Sequence, residues 1–416
     1  MKNVVIIGGG IIGLSSALYL QQTGHQVTVL DKEDFRDNCS FGNAGYVCPS
    51  HFIPLAAPGI VAQGLKWMFN SMSPFYVKPA LNGALIEWGW QFMKHATKKH
   101  VERSGVPLRD IALLSQQEYH KWKNLPGFDF HYENKGMLEI FQTEKNAEHA
   151  HHTVQQAKAL GLDTEFLNAA ELQALEPDAR INALGAIYFK CDGHLWPNKL
   201  MTQLLAYLKA QGVRLVPHQE VKNVATTNGK IDKVITQNGE YEADEVVLAA
   251  GAWSRELASL MGAKIPMMPG RGFSVTLENF PYKVVHPSVL VEGRAALTPL
   301  DGTTLRLGGT MEVVPTTTAP NYKRVQGIVN AVNTYYPDFN IALPSTDKMW
   351  YGYRPCSADG IPYIGRGGKY SNVVIATGHA MLGLSLGAAT GKLVSEMING
   401  EKTSIAMESF SPDRFK

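Results

Sequence analysis

The residues best suited to chemistry near the start of the chain are three glycines and one acid. Gly8, Gly10 and Gly13 follow an apolar run and fit the pattern G-x-G-x-x-G. Such a turn lets backbone approach a pyrophosphate, with the N-terminus of the following helix facing the negative charge. Asp31 then offers a carboxylate to the hydroxyl groups of a ribose. Together these residues predict a dinucleotide site, for either NAD or FAD.

A strand, a helix and a second strand must position these residues. Residues 4–7 form an unbroken β-branched run, as in a parallel strand buried on both faces. Residues 11–23 are good helix formers, Gly24 ends the helix, and residues 27–30 return as a strand. Because these elements and the acid follow in the correct order, they predict a Rossmann-like β-α-β unit.

Composition limits the class of protein. The 416 residues carry a formal net charge of +2, from 39 basic and 37 acidic side chains, which gives no reason to expect a nucleic-acid partner. The length predicts two domains. Four cysteines without C-x-x-C spacing predict neither a disulfide framework nor a zinc site, so we assign no metal and expect a reducing, cytoplasmic setting. The sequence predicts no targeting segment and no membrane-spanning helix.

Residues 59–104 are rich in aromatic and basic side chains and nearly lack acids. Trp67, Trp88 and Trp90 stand among lysines in this segment, which is typical of a segment that lies on a membrane surface. The alternative is the core of a second domain or a subunit contact. A helix is predicted next, over residues 107–124.

Later segments repeat the close backbone approach seen at the start. A buried strand ends at residues 249–251, and residues 378–383 open the final helix. Antiparallel strands are predicted between them, at residues 272–277, 288–291, 295–299 and 304–309.

This order predicts a discontinuous cofactor domain. We expect residues 1–50, 143–260 and 346–416 to form it, with residues 51–142 and 261–345 forming an inserted substrate domain. Within the substrate domain, residues 59–104 are the membrane-associating candidate.

Five ordered motifs resemble the D-amino-acid oxidase superfamily of FAD-dependent oxidoreductases, and within it the bacterial D-amino-acid dehydrogenases. The motifs are Gly8–Gly13 with Asp31, residues 40–45, residues 247–253, residues 352–360, and residues 378–383. The resemblance covers nearly the whole chain. It implies an α/β fold with a Rossmann-like, glutathione-reductase-type FAD-binding domain and an inserted antiparallel-sheet α+β substrate domain. The aromatic and basic segment also resembles the membrane-associating segment of those dehydrogenases.

The resemblance implies non-covalent FAD, because no cysteine lies near residues 378–379. It places the pyrophosphate on the glycine turn, the ribose at Asp31, the adenine near Val221, and the isoalloxazine near residues 43–46 and 378–383. The expected FAD contacts are Gly8, Gly10, Ile11, Ile12, Gly13, Asp31, Lys32, Ser40, Asn43, Ala44, Gly45, Val221, Ala250, Gly251, Trp253, Gly352, Gly378, His379, Leu382 and Gly383.

Arg354 is the predicted ligand of a substrate carboxylate, because a guanidinium binds a carboxylate through two parallel hydrogen bonds. The alternative is a salt bridge to an acid of the protein. His51 and His379 are further catalytic candidates, although either could be structural. Tyr353 is expected on the opposite side of the strand from Arg354. Arg271 could contact the flavin or bridge the domains.

The predicted activity is oxidation of D-amino or D-imino acids to imino or keto acids, by hydride transfer to flavin N5. Electrons then pass to a quinone or another respiratory-chain acceptor, with the enzyme cytoplasmic or peripheral on the inner face of the membrane. The alternatives are an oxygen-using glycine or sarcosine-type oxidase and a redox subunit without its own substrate. The substrate side chain stays open, since residues 51–54 resemble loops associated with hydroxyproline breakdown.

Overall fold

The computed structural model describes residues 1–36, 38–59, 75–78 and 82–416. Residues 60–74 and 79–81 of the aromatic and basic segment therefore lie outside the described residues. The strands are β1 (Asn3–Ile7), β2 (Gln26–Leu30), β3 (Tyr46–Val47), β4 (Phe75–Val77), β5 (Met137–Phe141), β6 (Thr164–Asn168), β7 (Gly185–Phe189), β8 (Gly193–His194), β9 (Arg214–Val216), β10 (Val221–Thr227), β11 (Lys230–Thr236), β12 (Glu240–Glu242), β13 (Glu245–Leu248), β14 (Met267–Leu277), β15 (Ser288–Leu290), β16 (Ala295–Pro299), β17 (Leu305–Val313), β18 (Met349–Ser357), β19 (Tyr363–Arg366) and β20 (Val373–Thr377). The α-helices are α1 (Ile11–Gln22), α2 (Gly83–His95), α3 (Lys98–Trp122), α4 (Glu144–Ala159), α5 (Ala169–Leu175), α6 (Pro197–Ala210), α7 (Ser254–Leu260), α8 (Lys323–Tyr335) and α9 (Gly383–Asn399).

A six-stranded sheet is built around the opening strand. Its order is β19-β20-β13-β1-β2-β9. β1 pairs in parallel with both β2 and β13, and only the edge strand β19 runs antiparallel. The residues from Val4 to Ile7 are all buried, because helices and neighbouring segments cover both faces. The predicted β-α-β unit is confirmed.

The helices α1 and α9 pack closely on this sheet. A Cβ on Gly391 would lie 2.4 Å from the carbonyl carbon of Ser15, and a Cβ on Gly387 would lie 2.7 Å from the Ile11 side chain. Glycine at these positions lets the two helices approach each other. The contact places the start of α9 beside the start of α1, so segments from the two ends of the chain share one edge of the sheet.

A nine-stranded sheet forms the second layer. Its order is β18-β14-β17-β16-β15-β5-β7-β6, with β4 added on β17. β14 pairs antiparallel with both β17 and β18, and α8 covers one face through Val325, Ile328 and Val332. The antiparallel strands predicted after residue 261 are confirmed.

The division of the chain into two domains stays a prediction. β6 and β7 fall within residues 143–260, which were assigned to the cofactor domain, yet both hydrogen-bond into the nine-stranded sheet. These strands favour assigning residues 143–189 to the substrate domain instead.

The helix predicted over residues 107–124 begins earlier, at Lys98. Thr97 caps α3 by accepting a hydrogen bond from the His100 N–H at 3.2 Å, and Pro107 lies inside the helix. The predicted start, at Pro107, was wrong: proline is favoured in the first turn of a helix, and the prediction therefore placed the start there. Here buried contacts of Leu108 and Ile111 keep the chain helical past the proline.

Candidate active site

A long trench lies between the two sheets. Its volume is about 1360 Å³, and its lining includes Gly8, Asp31 and Val221 from one layer and Gly352 and Arg354 from the other. The trench is the natural place for a large ligand, because it joins the carboxyl ends of the parallel strands to the larger sheet.

The glycine turn forms one wall of the trench. Gly8 has φ +113°, and a Cβ there would lie 2.4 Å from the Ala249 carbonyl oxygen. A Cβ on Gly13 would lie 1.9 Å from the Gly8 carbonyl oxygen, so glycine lets α1 lie close to β1. The Ile12 and Gly13 N–H groups in the first turn of α1 have no intrahelical acceptor and are available to an anion, whereas the Ile11 N–H donates to Ser40 Oγ.

Asp31 lies just after β2 at the edge of the trench. Its Oδ2 accepts a hydrogen bond from the Gly9 N–H at 2.6 Å, and its Oδ1 accepts one from the Glu33 N–H at 2.8 Å. These bonds hold the carboxylate in place while each oxygen keeps a lone pair for a ribose hydroxyl. Nearby, the Lys32 ammonium lies 3.7 Å from the centroid of the Trp253 ring, so two more predicted contacts are adjacent.

The loop of residues 40–45 is tied to both layers. Ser40 Oγ accepts a hydrogen bond from the Ile11 N–H at 3.0 Å. Arg306 of β17 donates to the carbonyl oxygens of Phe41 at 3.0 Å and Asn43 at 2.8 Å. The loop is therefore held by α1 on one side of the trench and by β17 on the other.

Most of the expected FAD contacts line the trench. They are Gly8, Gly10, Ile11, Ile12, Asp31, Lys32, Ser40, Asn43, Val221, Ala250, Gly251, Trp253, Gly352, His379 and Gly383. The remaining expected contacts, which are not part of the lining, are Gly13, Ala44, Gly45, Gly378 and Leu382. Gly13 and Gly45 instead make close backbone contacts, with Gly8 and with Leu195 respectively.

Arg354 lies half-buried in the trench wall on β18. Its Nη1 donates to the Thr310 carbonyl oxygen on β17, and the guanidinium passes over Gly272 of the intervening strand β14. Burial lowers the pKa of Arg354, and the ionisable groups that act on it are the thiols of Cys39 and Cys356. Within the described residues no carboxylate forms a salt bridge with it, so its charge is available to a ligand.

His379 lies in the trench lining, with its side chain buried against α9. Its Nε2 is 3.0 Å from Thr390 Oγ1, and that hydroxyl donates to the Leu386 carbonyl oxygen. The hydroxyl therefore accepts from an Nε2–H. Burial lowers the pKa of His379 to about 3, so the imidazole is neutral at physiological pH.

His51 is not brought to the trench. It lines a separate cavity of about 140 Å³ together with Ser50, Glu139 and His149. Burial lowers the pKa of His51 to about 4. The structure thus places Arg354 and His379 in one cavity and His51 in another.

Tyr353 of β18 and Arg271 of β14 are paired in the larger sheet but have different surroundings. Tyr353 and Arg354 are adjacent on β18, and both line the trench, because β18 is an edge strand and the cavity extends around it; the expected opposite orientation of Tyr353 therefore does not exclude it from this cavity. Arg271 is buried away from the trench lining, where its Nε donates to Glu312 Oε2 at 2.8 Å. Its role is therefore an ion pair within the larger sheet.

Sequence reasoning missed Arg306 and Trp350. Trp350 lines the trench, and a Cβ on Gly42 or Gly352 would come within 2.2 Å of its ring. Pairs of glycines that both face one tryptophan cannot be recognised before the layers are assembled. No local motif marks Arg306 either, because its partners lie far away in the sequence.

The trench residues fit a flavin dinucleotide. A Cβ on Gly10 would meet no protein atom closer than Ser40 Oγ, at 3.6 Å, so glycine leaves that space to a phosphate. Asp31 supplies the ribose acceptor. The trench continues to Arg354 and His379, further than one β-α-β turn reaches, as a two-part cofactor such as FAD requires.

Comparison with known proteins also indicates an FAD site. A family model described as FAD dependent oxidoreductase matches residues 3–397. The D-amino acid dehydrogenase of Neisseria meningitidis is 30% identical over 420 residues, covering 99% of each chain. The protein of the same name from Rhizorhabdus wittichii is 29% identical, covering 99% of this chain and all of the relative.

Solved structures share the fold. Glycine oxidase from Geobacillus kaustophilus superposes with a TM-score of 0.80 at 22% identity, covering 99% of this chain and 98% of that one. L-proline dehydrogenase from P. horikoshii gives a TM-score of 0.79 at 21% identity, covering 100% and 97%. The predicted fold class, a Rossmann-like domain with an antiparallel-sheet substrate domain, is confirmed.

Proposed function

The chain belongs to the family of FAD dependent oxidoreductases, and from this premise we propose that it is a dehydrogenase of D-amino or D-imino acids. Family membership confirms the predicted resemblance and FAD as the cofactor. The proposed D-amino-acid activity is supported by relatives of that name, whose alignments cover almost the full length of this chain and of each relative.

Arg354 is the observation that carries the proposal. It is a half-buried cation in the trench wall without a carboxylate partner among the described residues. Its planar guanidinium suits a planar carboxylate, and binding one would satisfy donors that the protein leaves available. A substrate that carries an α-carboxylate follows from this arrangement.

The reaction removes a hydride from the α-carbon and a proton from the amine. FAD, when bound, supplies the acceptor of the hydride. Arg354 holds the substrate carboxylate and so orients the α-carbon. His379 is engaged through Nε2–H and stays neutral, so we assign it a positioning role, and the amine loses its proton to water.

Electrons then pass to a quinone-type acceptor in this proposal. The sequence relatives are named dehydrogenases, and a dehydrogenase passes its electrons to an acceptor other than oxygen. The oxygen-using alternative is not favoured, because the likeness to glycine oxidase is structural at 22% identity and supports the fold alone.

Anaerobic bleaching of the flavin tests the proposal. The purified holoenzyme would be mixed with matched D- and L-amino acids, with D- and L-proline and 4-hydroxyproline, and with glycine and sarcosine. We expect bleaching by D-enantiomers only. The reduced enzyme would then be mixed with oxygen or with a water-soluble quinone, and we expect rapid reoxidation by the quinone alone.

Three outcomes would contradict the proposal. Bleaching by glycine or sarcosine with peroxide release would indicate an oxidase. Bleaching by L-enantiomers would reverse the stereochemistry. A flavin that no amine bleaches would indicate a redox subunit without its own substrate.

The helix α2 supports contact with a membrane surface. Ile86, Trp90 and Met93, spaced along one face, are 61%, 57% and 57% exposed, and the Lys94 ammonium lies 5.3 Å from the centroid of the Trp90 ring. Exposed Lys98 and Lys99 follow at the start of α3. Apolar side chains beside basic ones suit an anionic bilayer surface, which we propose lies on the cytoplasmic side, where quinone is accessible.

Flotation with anionic phospholipid vesicles tests this contact. Wild-type protein should float, and Trp90→Glu should stay at the bottom of the gradient while retaining its flavin. Equal flotation of both proteins would contradict the contact. No helix among the described residues is both long and apolar enough to cross a bilayer.

A further inference from the structure

A tight turn outside the trench brings a thiol and an imidazole together. The His51 N–H donates to the Cys48 carbonyl oxygen at 3.2 Å, with Pro49 and Ser50 between them. Proline is favoured at the second position of such a turn. Cys48 and His51 are thus separated by two residues on one turn, a separation within the range of two to five residues between paired zinc ligands.

The ladder between β3 and β8 brings a carboxylate to the same place. Val47 pairs with Gly193, so the next step of the antiparallel register sets Cys48 opposite Asp192. Asp192 is fully buried. Its Oδ1 accepts from the Ser50 N–H at 3.0 Å, and its Oδ2 accepts from the Ser50 hydroxyl at 2.5 Å. The turn and the carboxylate are thus held to each other.

We propose that Cys48, His51 and Asp192 bind a zinc ion. Among the described residues, one ligand atom of each lies within 4.8 Å of the other two. Thiolate, imidazole and carboxylate are ligands of tetrahedral zinc sites, in which bond lengths of about 2.0–2.3 Å place neighbouring ligand atoms about 3.3–3.8 Å apart. Binding of zinc would therefore draw the three side chains closer together and fill three corners of the tetrahedron.

The surroundings supply the rest of a zinc site. The Cys191 thiol donates to Asp192 Oδ1 at 3.5 Å, so a second sulfur atom lies beside the three ligands. His51 also lines the cavity of about 140 Å³, which has room for a water molecule as fourth ligand. The bonds from Ser50 orient Asp192, as hydrogen bonds behind metal ligands do.

The proposed zinc would join two distant parts of the chain. Cys48 and His51 follow the loop of residues 40–45, while Asp192 precedes β8. Metal binding would therefore stabilise the folded holoenzyme, independently of any substrate. The sequence predicted no metal here, because Asp192 and Cys48 are 144 positions apart and no local C-x-x-C pattern marks the site.

Metal analysis of the purified holoenzyme tests the site. We expect about one zinc per chain by mass spectrometry, in the stoichiometry of a single site. After treatment with a chelator, added Co²⁺ should give a thiolate-to-cobalt band and weak absorption at wavelengths longer than those of oxidised flavin. Zinc should raise the melting temperature of the chelated holoenzyme.

Variants separate this site from adventitious binding. Cys48→Ser and His51→Ala should abolish the cobalt bands and the shift in melting temperature, and Asp192→Asn should weaken both. His152→Ala, which changes an exposed histidine on α4, should behave as wild type. If Cys48→Ser does not fold, the half-exposed His51 still decides the matter. Cobalt or zinc bound equally by wild type and His51→Ala would show an adventitious ion only, and no bound metal at all would overturn the proposal.

Discussion

Gly272 leaves room for the guanidinium of Arg354. A Cβ on Gly272 would lie 2.1 Å from Arg354 Nη2, because the arginine side chain leaves β18, passes over β14 and reaches the Thr310 carbonyl oxygen on β17. The absence of a side chain at residue 272 is therefore part of how the arginine is positioned in the trench wall.

Gly272→Ala should displace the guanidinium and weaken substrate binding. We expect KM for the preferred acid to rise by about tenfold, equivalent to about 1.4 kcal/mol, while FAD remains bound. Steady-state kinetics with a dye acceptor would measure this. Gly302→Ala is the matched control, since a Cβ there meets nothing within 4 Å. An unchanged KM in Gly272→Ala would contradict the positioning role.

Arg354→Lys should raise KM more strongly, by about a hundredfold, because an ammonium cannot make the bidentate bond and loses about 2–3 kcal/mol of charge-assisted hydrogen bonding. The flavin spectrum should stay that of wild type. Arg180→Lys, an exposed arginine paired with Asp338, serves as control and should keep normal kinetics. Normal kinetics in Arg354→Lys would refute the assignment.

The first β-α-β unit could be predicted from the sequence because its causes are local. The glycine spacing, the β-branched run and Asp31 all lie between residues 4 and 31, and each has a known role in a β-α-β dinucleotide site. The antiparallel strands after residue 261 were also predictable, from their alternation and turn residues.

The positions of Arg306 and His51 depend on contacts with residues that are distant in the sequence, so they could not be predicted from local patterns. Arg306 donates to the carbonyl oxygens of Phe41 and Asn43, which lie 265 and 263 positions away in the sequence. No local pattern around Arg306 predicts those partners. His51 was expected beside the flavin because it follows the loop of residues 40–45. The turn at residues 48–51 instead bonds to Asp192, which directs the histidine into the other cavity.

Arg306→Met should weaken FAD binding. Without the guanidinium, the carbonyl oxygens of Phe41 and Asn43 lose their donors, and an unsatisfied buried group costs about 1–3 kcal/mol. We expect the Kd for FAD to rise by about tenfold or more, with kcat near normal at saturating FAD. Fluorescence titration of the apoprotein with FAD measures this. Arg180→Met is the control, and an unaltered Kd would show that the loop holds without Arg306.

Asp31→Ala should also weaken FAD binding, for a different reason. The change removes the acceptor of the Gly9 and Glu33 N–H bonds and the expected ribose contact. We expect about a tenfold to hundredfold rise in Kd, since hydrogen bonds to a charged group contribute about 1.5–3 kcal/mol. Asp129→Ala changes an exposed carboxylate and is the control. Equal Kd values for wild type and Asp31→Ala would remove Asp31 from the site.

His379 should make the folded protein sensitive to acid. Its pKa is lowered by burial to about 3, whereas an unfolded histidine has a pKa of about 6.5. Between these values the unfolded chain binds a proton that the folded chain does not, so stability from this group is full above about pH 6.5 and is lost as the pH falls. The loss approaches about 1.4 kcal/mol per pH unit in that window.

His379→Gln removes this titration and retains an N–H that can reach Thr390. The variant should be less stable than wild type at pH 7.5, and its melting temperature should fall less between pH 7 and pH 5, because one fewer proton is taken up on unfolding. Flavin fluorescence during heating measures the melting temperature, and His152→Gln controls for an exposed histidine. Parallel pH dependences for wild type and His379→Gln would mean that the imidazole is protonated in the folded state, which the burial of the ring argues against.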